Sequence, residues 1–313
     1  MAVFNCLKAV TCFYEDKMDF LTEFPSLGKR DLRDLKKTID GSFREWSRTY
    51  GDAIEAFFDP LYFFLVWLEK LLIAAPWPII LILVAGFAYL GSRSWQLALG
   101  SVISFMLIGY FGMWKDMMAT ISLISVATLI CIAVGIPIGI LMSRYDRVQS
   151  AITPILDLMQ TIPIFVYLLP VVMLLGIGRV PGLIAVCVYA LPPIIRLTNL
   201  GIRLVDKEIL EAADAFGSSY RQKLFEVQLP LALPNIFAGV NQTIMMALAM
   251  VVIASMIGVK GLGMPVLQAV QNQYLTLGLM NGLAIVALAI IFDRVSQRYG
   301  QRLQAHRFGK EHE

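Results

Sequence analysis

The spacing of charge after Lys70 constrains this chain more than any other feature. Long uncharged runs separate its charged residues: Leu71–Ser92 (22 residues), Ser94–Trp114 (21), Met117–Ser143 (27), Leu158–Gly178 (21), Val180–Ile195 (16), Val227–Val259 (33) and Gly261–Phe292 (32). A helix that crosses the hydrocarbon core of a bilayer needs about 20 mostly apolar residues. The shortest run is completed by Leu197 and Thr198, with Arg196 snorkelling between them. The two longest are trimmed by Pro230, Pro234, Gly258, Gly261, Gly263 and Pro265. The runs predict about seven transmembrane helices, near 76–92, 95–113, 117–143, 153–176, 180–198, 235–257 and 275–293.

Composition agrees with an all-α integral membrane protein. Of 313 residues, 58% are hydrophobic and 16% charged, against roughly 45–50% and about 25% in soluble domains. Residues 1–76 hold 22 of the 49 charges. The chain therefore divides into a polar segment over 1–75, a membrane domain over 76–298 and a basic tail over 299–313. A soluble enzyme, a disordered tail and a nucleic-acid binder are all excluded. The net charge of +3 is too small and too scattered for phosphate backbones.

Lysine and arginine set the orientation. One set of loops carries Arg93, Arg144, Arg147, the group from Arg196 to Lys223 and the tail from Arg294 to Lys310, 13 basic residues in all. The opposite set carries Lys115, Arg179 and Lys260. The C-terminus and the long loop 199–233 are thus expected in the cytoplasm and the N-terminal segment outside.

Within the polar segment, Leu32, Leu35, Ile39, Phe43, Trp46, Tyr50 and Ile54 recur at spacings of three and four and predict an amphipathic helix. The segment 57–75 has two readings, an eighth span or a helix lying in the membrane interface. Only nine uncharged residues separate Asp59 from Glu69, which favours the interface. No signal peptide is read, because the apolar stretch after Lys8 breaks at Glu15–Asp16.

Familiar chemistry is missing. No G-x-x-x-x-G-K-[ST] motif is present, and the glycine-rich run from Gly258 to Gly263 has the spacing of a re-entrant turn instead. Cys131 and Cys187 fall in spans, Cys6 and Cys12 have no metal-binding neighbours, and His306 and His312 lie in the tail. No nucleophilic or metal-dependent site assembles from these residues. Asp157 is the one acid placed inside a span, sharing a helical face with Gln160 and Thr161. It reads as a carboxylate favoured by the helix dipole or as part of a pathway lining. Pro137, Pro163, Pro170, Pro192 and Pro193 also fall in spans, as hinges or as fixed kinks.

The loop 199–233 is unusually ordered for a connection between spans. Leu204, Ile209 or Leu210, Ala213 and Phe216 give a short amphipathic helix, and Gly217 stands where a left-handed cap ends one. A second short helix then starts at Ser218 or Ser219 and is expected to run until Pro230 interrupts it. Ala212 and Ala213 permit close approach of another backbone, and Glu211 offers one charge-assisted contact. The pattern suits docking to a cytoplasmic partner.

Glu211-Ala212-Ala213, Gly217, Val227 and Leu229-Pro230 resemble the cytoplasmic loop signature of permease subunits in binding-protein-dependent ABC importers, with Val227 in place of the more usual isoleucine. The stretches Thr161–Pro170, Tyr189–Arg196 and Gly258–Gly263 resemble the ProW-type permeases for glycine betaine and related osmolytes. The resemblance implies a type I ABC importer permease fold in a bacterial inner membrane. It also implies a homodimeric pore, two copies of a separate ATP-binding subunit that hold ATP and Mg, and an extracytoplasmic substrate-binding protein. The chain itself would hold no cofactor. Glu211 to Gly217 would be the coupling element, completed by Val227, Leu229 and Pro230.

Candidates for the translocation path are Asp157, Gln160, Thr161, Phe165, Tyr189, Asn241, Met245 and Ser255, with Trp114 and Tyr167 as further aromatic faces. A quaternary or trimethylated amine is held by such faces rather than by hydrogen bonds to its head. A stand-alone secondary transporter or channel is the competing reading, for which only Asp157 speaks; a membrane scaffold leaves the 211–230 pattern unexplained.

Overall fold

A computed structural model describes residues 28–308, and side chains as far as residue 300. The expectations placed on Cys6, Cys12, Glu15–Asp16, His306, His312 and the tail beyond 300 lie outside these residues and side chains. The described residues form helices and turns, with no strand among them.

The helices are α1 (Lys29–Ala74), α2 (Trp77–Ser92), α3 (Trp95–Tyr110), α4 (Trp114–Arg144), α5 (Asp146–Thr161), α6 (Ile164–Leu175) and α7 (Arg179–Arg203). Then come α8 (Lys207–Ala215), α9 (Tyr220–Ala249), α10 (Val251–Ser255), α11 (Gly263–Asn272) and α12 (Leu275–Phe308). Four of these, α4, α7, α9 and α12, are long and apolar enough to cross a membrane, and six spans result if α1–α2 and α5–α6 each make one bent span. With the shorter apolar α3, they account in order for the seven expected segments.

The bends depart from the simple picture. Segment 153–176 is not one helix: α5 and α6 meet at 92°. Ile162 is extended (φ −64°, ψ 129°), the conformation favoured for a residue that precedes proline, and Pro163 then opens α6 with its fixed φ. Twelve residues make α6 only about 18 Å long, short of the hydrocarbon core. At the other end of the chain the structure joins what the sequence divides. The amphipathic 32–54 stretch and the 57–75 stretch belong to one helix, α1, which runs through Pro60. The Ala56 carbonyl that loses its donor there lies on an exposed stretch where a polar medium can serve it. Two compact units meet within α1, at Asp52 and Ala53. In the first, the rings of Phe43, Trp46 and Tyr50 meet successively at tilts of 42° and 43° along one face.

The second unit is built around α7, which packs against α4 and α9. Gly135 and Gly139 of α4 make the first seam. A β-carbon on Gly135 would stand 2.4 Å from Ile194 Cγ2, and one on Gly139 would stand 2.6 Å from Thr198 Cβ. Small residues four apart bring two helix backbones together in this way inside a membrane. The α7–α9 seam adds a hydrogen bond, Thr243 Oγ1 donating to the Ala190 carbonyl at 2.9 Å, with both residues fully buried. Asn241 Nδ2 donates to Asp293 Oδ1 at 2.8 Å and ties α9 to α12. The turn Gly258–Gly263 is pinned onto α4, where Thr120 Oγ1 accepts from Leu262 N at 2.9 Å. That turn leads into α11, which the sequence did not announce.

Candidate functional site

The loop 199–233 folds into a hairpin whose parts are set by local chemistry. Asp206 caps α8, its carboxylate accepting from Glu208 N at 3.0 Å. The helix stops at a complete left-handed cap. Gly217 has φ +75°, Ser218 N donates to the Ala213 carbonyl at 3.1 Å, and Gly217 N donates to the Asp214 carbonyl at 2.9 Å. Nothing lies within 4 Å of where a Gly217 β-carbon would stand, so glycine is required by backbone direction and not by space. Ser219 then opens α9 through a capping box with Gln222.

Here the expectation that Pro230 ends the second helix fails. α9 runs from Tyr220 through Pro230 and Pro234 to Ala249 without a break. Residues Lys223–Gln228 form a π turn, in which Leu229 N donates to the Leu224 carbonyl five residues back. A π turn skips one donor where it hands over to an α-helix, and proline, which has no N–H, suits that hand-over. The 30 residues of α9 span about 45 Å, so roughly its first third projects beyond a hydrocarbon core of about 30 Å.

This projecting hairpin is open. No residue of α8 is buried. Glu211, Ala212 and Gly217 are exposed, Ala213 is half-buried, and Val227, Leu229 and Pro230 are half-buried where α9 enters the bundle. Phe216, expected on an inward apolar face, is instead 91% exposed, with Ile209 and Phe225 also exposed. The hairpin is braced internally by Lys223 Nζ, which reaches Asp214 Oδ1 at 2.5 Å and Oδ2 at 2.7 Å.

The path candidates do not gather into one chamber within a single chain. Asp157, Gln160 and Thr161 do share an exposed face at the end of α5. Asp157 Oδ1 accepts from Arg196 Nη2 at 2.5 Å, and Thr161 Oγ1 donates to the Asp157 carbonyl at 2.9 Å. Phe165 and Met245 are exposed, while Tyr189, Tyr167 and Trp114 pack partly buried against the core. Asn241 is engaged with Asp293, and Ser255 is buried with its hydroxyl donated to the Val251 carbonyl of its own helix.

Sequence reading missed four polar contacts. Glu69 of α1 pairs with Arg179 at 2.8 Å, both largely hidden (12% and 22% exposed). Asp293, on the last span, meets Asn241. Asp146 meets Arg203 at 2.6 Å, and with Asp157–Arg196 this makes two rungs between α5 and α7. The rungs had a signal: aspartates 11 apart and arginines seven apart each return to one helix face.

An apolar bundle with glycine seams, carrying a capped and uncovered hairpin at its basic end, defines a polytopic membrane permease of the importer type. The chain belongs to the family of binding-protein-dependent transport system inner membrane components, whose pattern matches residues 135–305. It is 47% identical to the glycine betaine/proline betaine transport system permease protein ProW of Escherichia coli K12, over 77% of this chain and 68% of that protein. It is 42% identical to the glycine betaine/carnitine transport permease protein GbuB of Listeria monocytogenes, over 85% of this chain and 92% of that one. Among solved structures, the inward-facing MetNI methionine ABC transporter matches with a TM-score of 0.55 at 19% identity, over 61% of this chain and 95% of that chain. That likeness establishes the type I importer permease fold.

Proposed function

We propose that this chain is the membrane-spanning subunit of an ATP-driven importer for small quaternary ammonium or trimethylated solutes: glycine betaine, proline betaine, choline or trimethylamine N-oxide. The observation that carries the coupling part is the hairpin, a rigidly capped helix that buries nothing of its own. A nine-residue helix with Phe216 almost fully in the open needs a partner. A separate ATP-binding subunit fits, with Glu211, Ala212, Ala213 and Gly217 forming the docked element and Val227, Leu229 and Pro230 joining it to the bundle. ATP and Mg belong to that partner, and no catalysis to this chain. The basic end, including the C-terminus, faces the cytoplasm of the bacterial cell, and the N-terminal segment lies outside.

The substrate class is supported by the names of the ProW and GbuB relatives. Two copies of this chain would enclose the path, two ATP-binding subunits would grip the two hairpins, and an extracytoplasmic binding protein would deliver solute. Exposed Phe165 and Met245 and half-buried Tyr189 offer the apolar and aromatic faces that a trimethylated head group accepts. Asp157, Gln160 and Thr161 close the cytoplasmic end of that route, while Asn241 ties α9 to α12 beside it and Ser255 stays bonded within its own helix. Docked ATPases closing on each other would move the hairpins together, and α9, continuous from Tyr220, would carry that motion into the bundle as rigid-body rocking.

Uptake of labelled glycine betaine, proline betaine, choline and trimethylamine N-oxide into vesicles tests the proposal, with and without ATP and the binding protein. ATP- and binding-protein-dependent uptake of one or more of the four is expected. Uptake driven by an ion gradient without ATP would establish the stand-alone transporter instead.

A further inference from the structure

Three helices and the hairpin meet at one corner of the basic end. The corner is Arg144-Tyr145-Asp146, where α4 turns into α5. The Arg144 guanidinium carbon stands 4.0 Å from the centre of the Tyr220 ring and 4.9 Å from that of Tyr145. Asp146 accepts from Arg203 Nη2, which also donates to the Met142 carbonyl at 3.0 Å. Arg203 Nε donates to Oδ1 of buried Asn199 at 3.1 Å, so this guanidinium is fixed from both sides. Eleven residues along α5, Asp157 meets Arg196.

We infer that Tyr220 and Arg144 are positioning residues of the transport cycle, which pass displacement of the docking hairpin to α5 and so to the bend at Pro163. The inference rests on the permease reading above. Tyr220 is well placed for this role. It follows Gly217 by three residues, and the capping box at Ser219 fixes its backbone, so its ring moves with the hairpin. Arg144 ends α4, and its backbone continues directly into α5. Beyond the corner, the Asp146–Arg203 and Asp157–Arg196 rungs hold α5 in register on α7. Their aspartates are 86% and 56% exposed, so they steer more than they stabilise. A tilt at Arg144 then emerges at the far end of α5, where Asp157 and Thr161 stand six and two residues before Pro163. The contact is a cation over a ring face, so the tyrosine hydroxyl is dispensable and the aromatic face is not.

The test uses the complete importer in liposomes, reading solute imported per ATP hydrolysed, with co-purification of the ATPase as a second measurement. Tyr220→Leu and Arg144→Gln should each lower that ratio about two- to five-fold while the ATPase still co-purifies. The double variant should fall no further than either single one, and Tyr220→Phe should keep the wild-type ratio. A wild-type ratio in Tyr220→Leu overturns the inference. So does an equal, proportional loss of uptake and hydrolysis in Tyr220→Leu and Tyr220→Phe, which marks a docking or folding defect. If the wild-type importer shows no ATP-dependent uptake, the permease reading fails first and takes this one with it.

Discussion

Gly139 and Gly217 are both indispensable glycines, and for opposite reasons. At Gly139 the backbone is ordinary helix, but a β-carbon would meet Thr198 Cβ at 2.6 Å and the Ile195 carbonyl oxygen at 2.9 Å. At Gly217 the space is empty, but φ is +75°. The first glycine lets two helices of the bundle touch; the second turns the chain where no other atom crowds it. The same contrast separates the two regions at large. The α4–α7–α9 bundle spends its small residues and hydroxyls on close packing, while the hairpin uses caps and one exposed ion pair to hold a shape in the open. Stability should therefore respond to the bundle, and transport without loss of stability to the hairpin.

The sharpest challenge to that division is Gly139→Leu. Overfilling the seam should cost about 3 kcal/mol or more, read as a collapse of folded yield and of thermal stability in detergent. A stable Gly139→Leu protein would break the comparison. Next comes the hidden ion pair. Arg179→Met leaves Glu69 without its partner in a mostly buried place and should cost about 2 kcal/mol, with Glu69→Met/Arg179→Met recovering most of the loss in the same melting assay. Gly217→Asp should cost only about 1 kcal/mol of backbone strain, leaving the protein inserted and folded. Uptake and stimulation of the ATPase should nevertheless be abolished, because the hairpin leaves its cap in the wrong direction; normal uptake would remove the hairpin from the coupling role. Lys223→Gln is the mildest. Its exposed pair with Asp214 should contribute no more than about 0.5 kcal/mol, seen as an unchanged melt at 0.15 M salt and a slight loss at low salt.

Much of this was legible because it is written in spacing. Charge spacing marks the seven segments, and Gly217 announces its left-handed cap by its place after a nine-residue amphipathic helix of about two and a half turns. What resisted reading depends on choices that residue type alone does not make. Pro163 and Pro170 both stand in the uncharged run Leu158–Gly178, yet only Pro163 breaks it, because Ile162 goes extended and Pro163 can then begin a helix. Pro230 looked like a stop, and a π turn made it a passage. Phe216 fitted an inward stripe by period, but it caps the end of α8 and stands 91% exposed, while only Leu210 and Ala213 of that stripe are half-buried. The α5–α7 rungs needed two helices to be compared face against face, which a single pass along the sequence does not do. The path candidates were the least legible, since they do not gather into one chamber within a single chain.

The π turn has one more consequence, for the length of the hairpin. Between Gly217 and Val227 lie nine residues, and the π turn winds part of that count more widely than an α-helix does. Residue number and angular phase are therefore not interchangeable along this stretch. Deleting a single residue between 223 and 228 would leave an apolar, helix-forming sequence that closes into a regular α-helix. Tyr220 would keep nearly its phase there, because an i→i+5 turn becomes an i→i+4 turn, whereas losing one residue from the regular helix after Leu229 would swing Tyr220 by about 100° around the axis and draw it some 1.5 Å inward. After such a loss α9 and α8 would each still fold, each correct by itself and facing the wrong way for the other. Insertions and deletions here are thus a separate class of lesion from substitutions, one that alters no contact surface and only the angle at which two intact parts are presented.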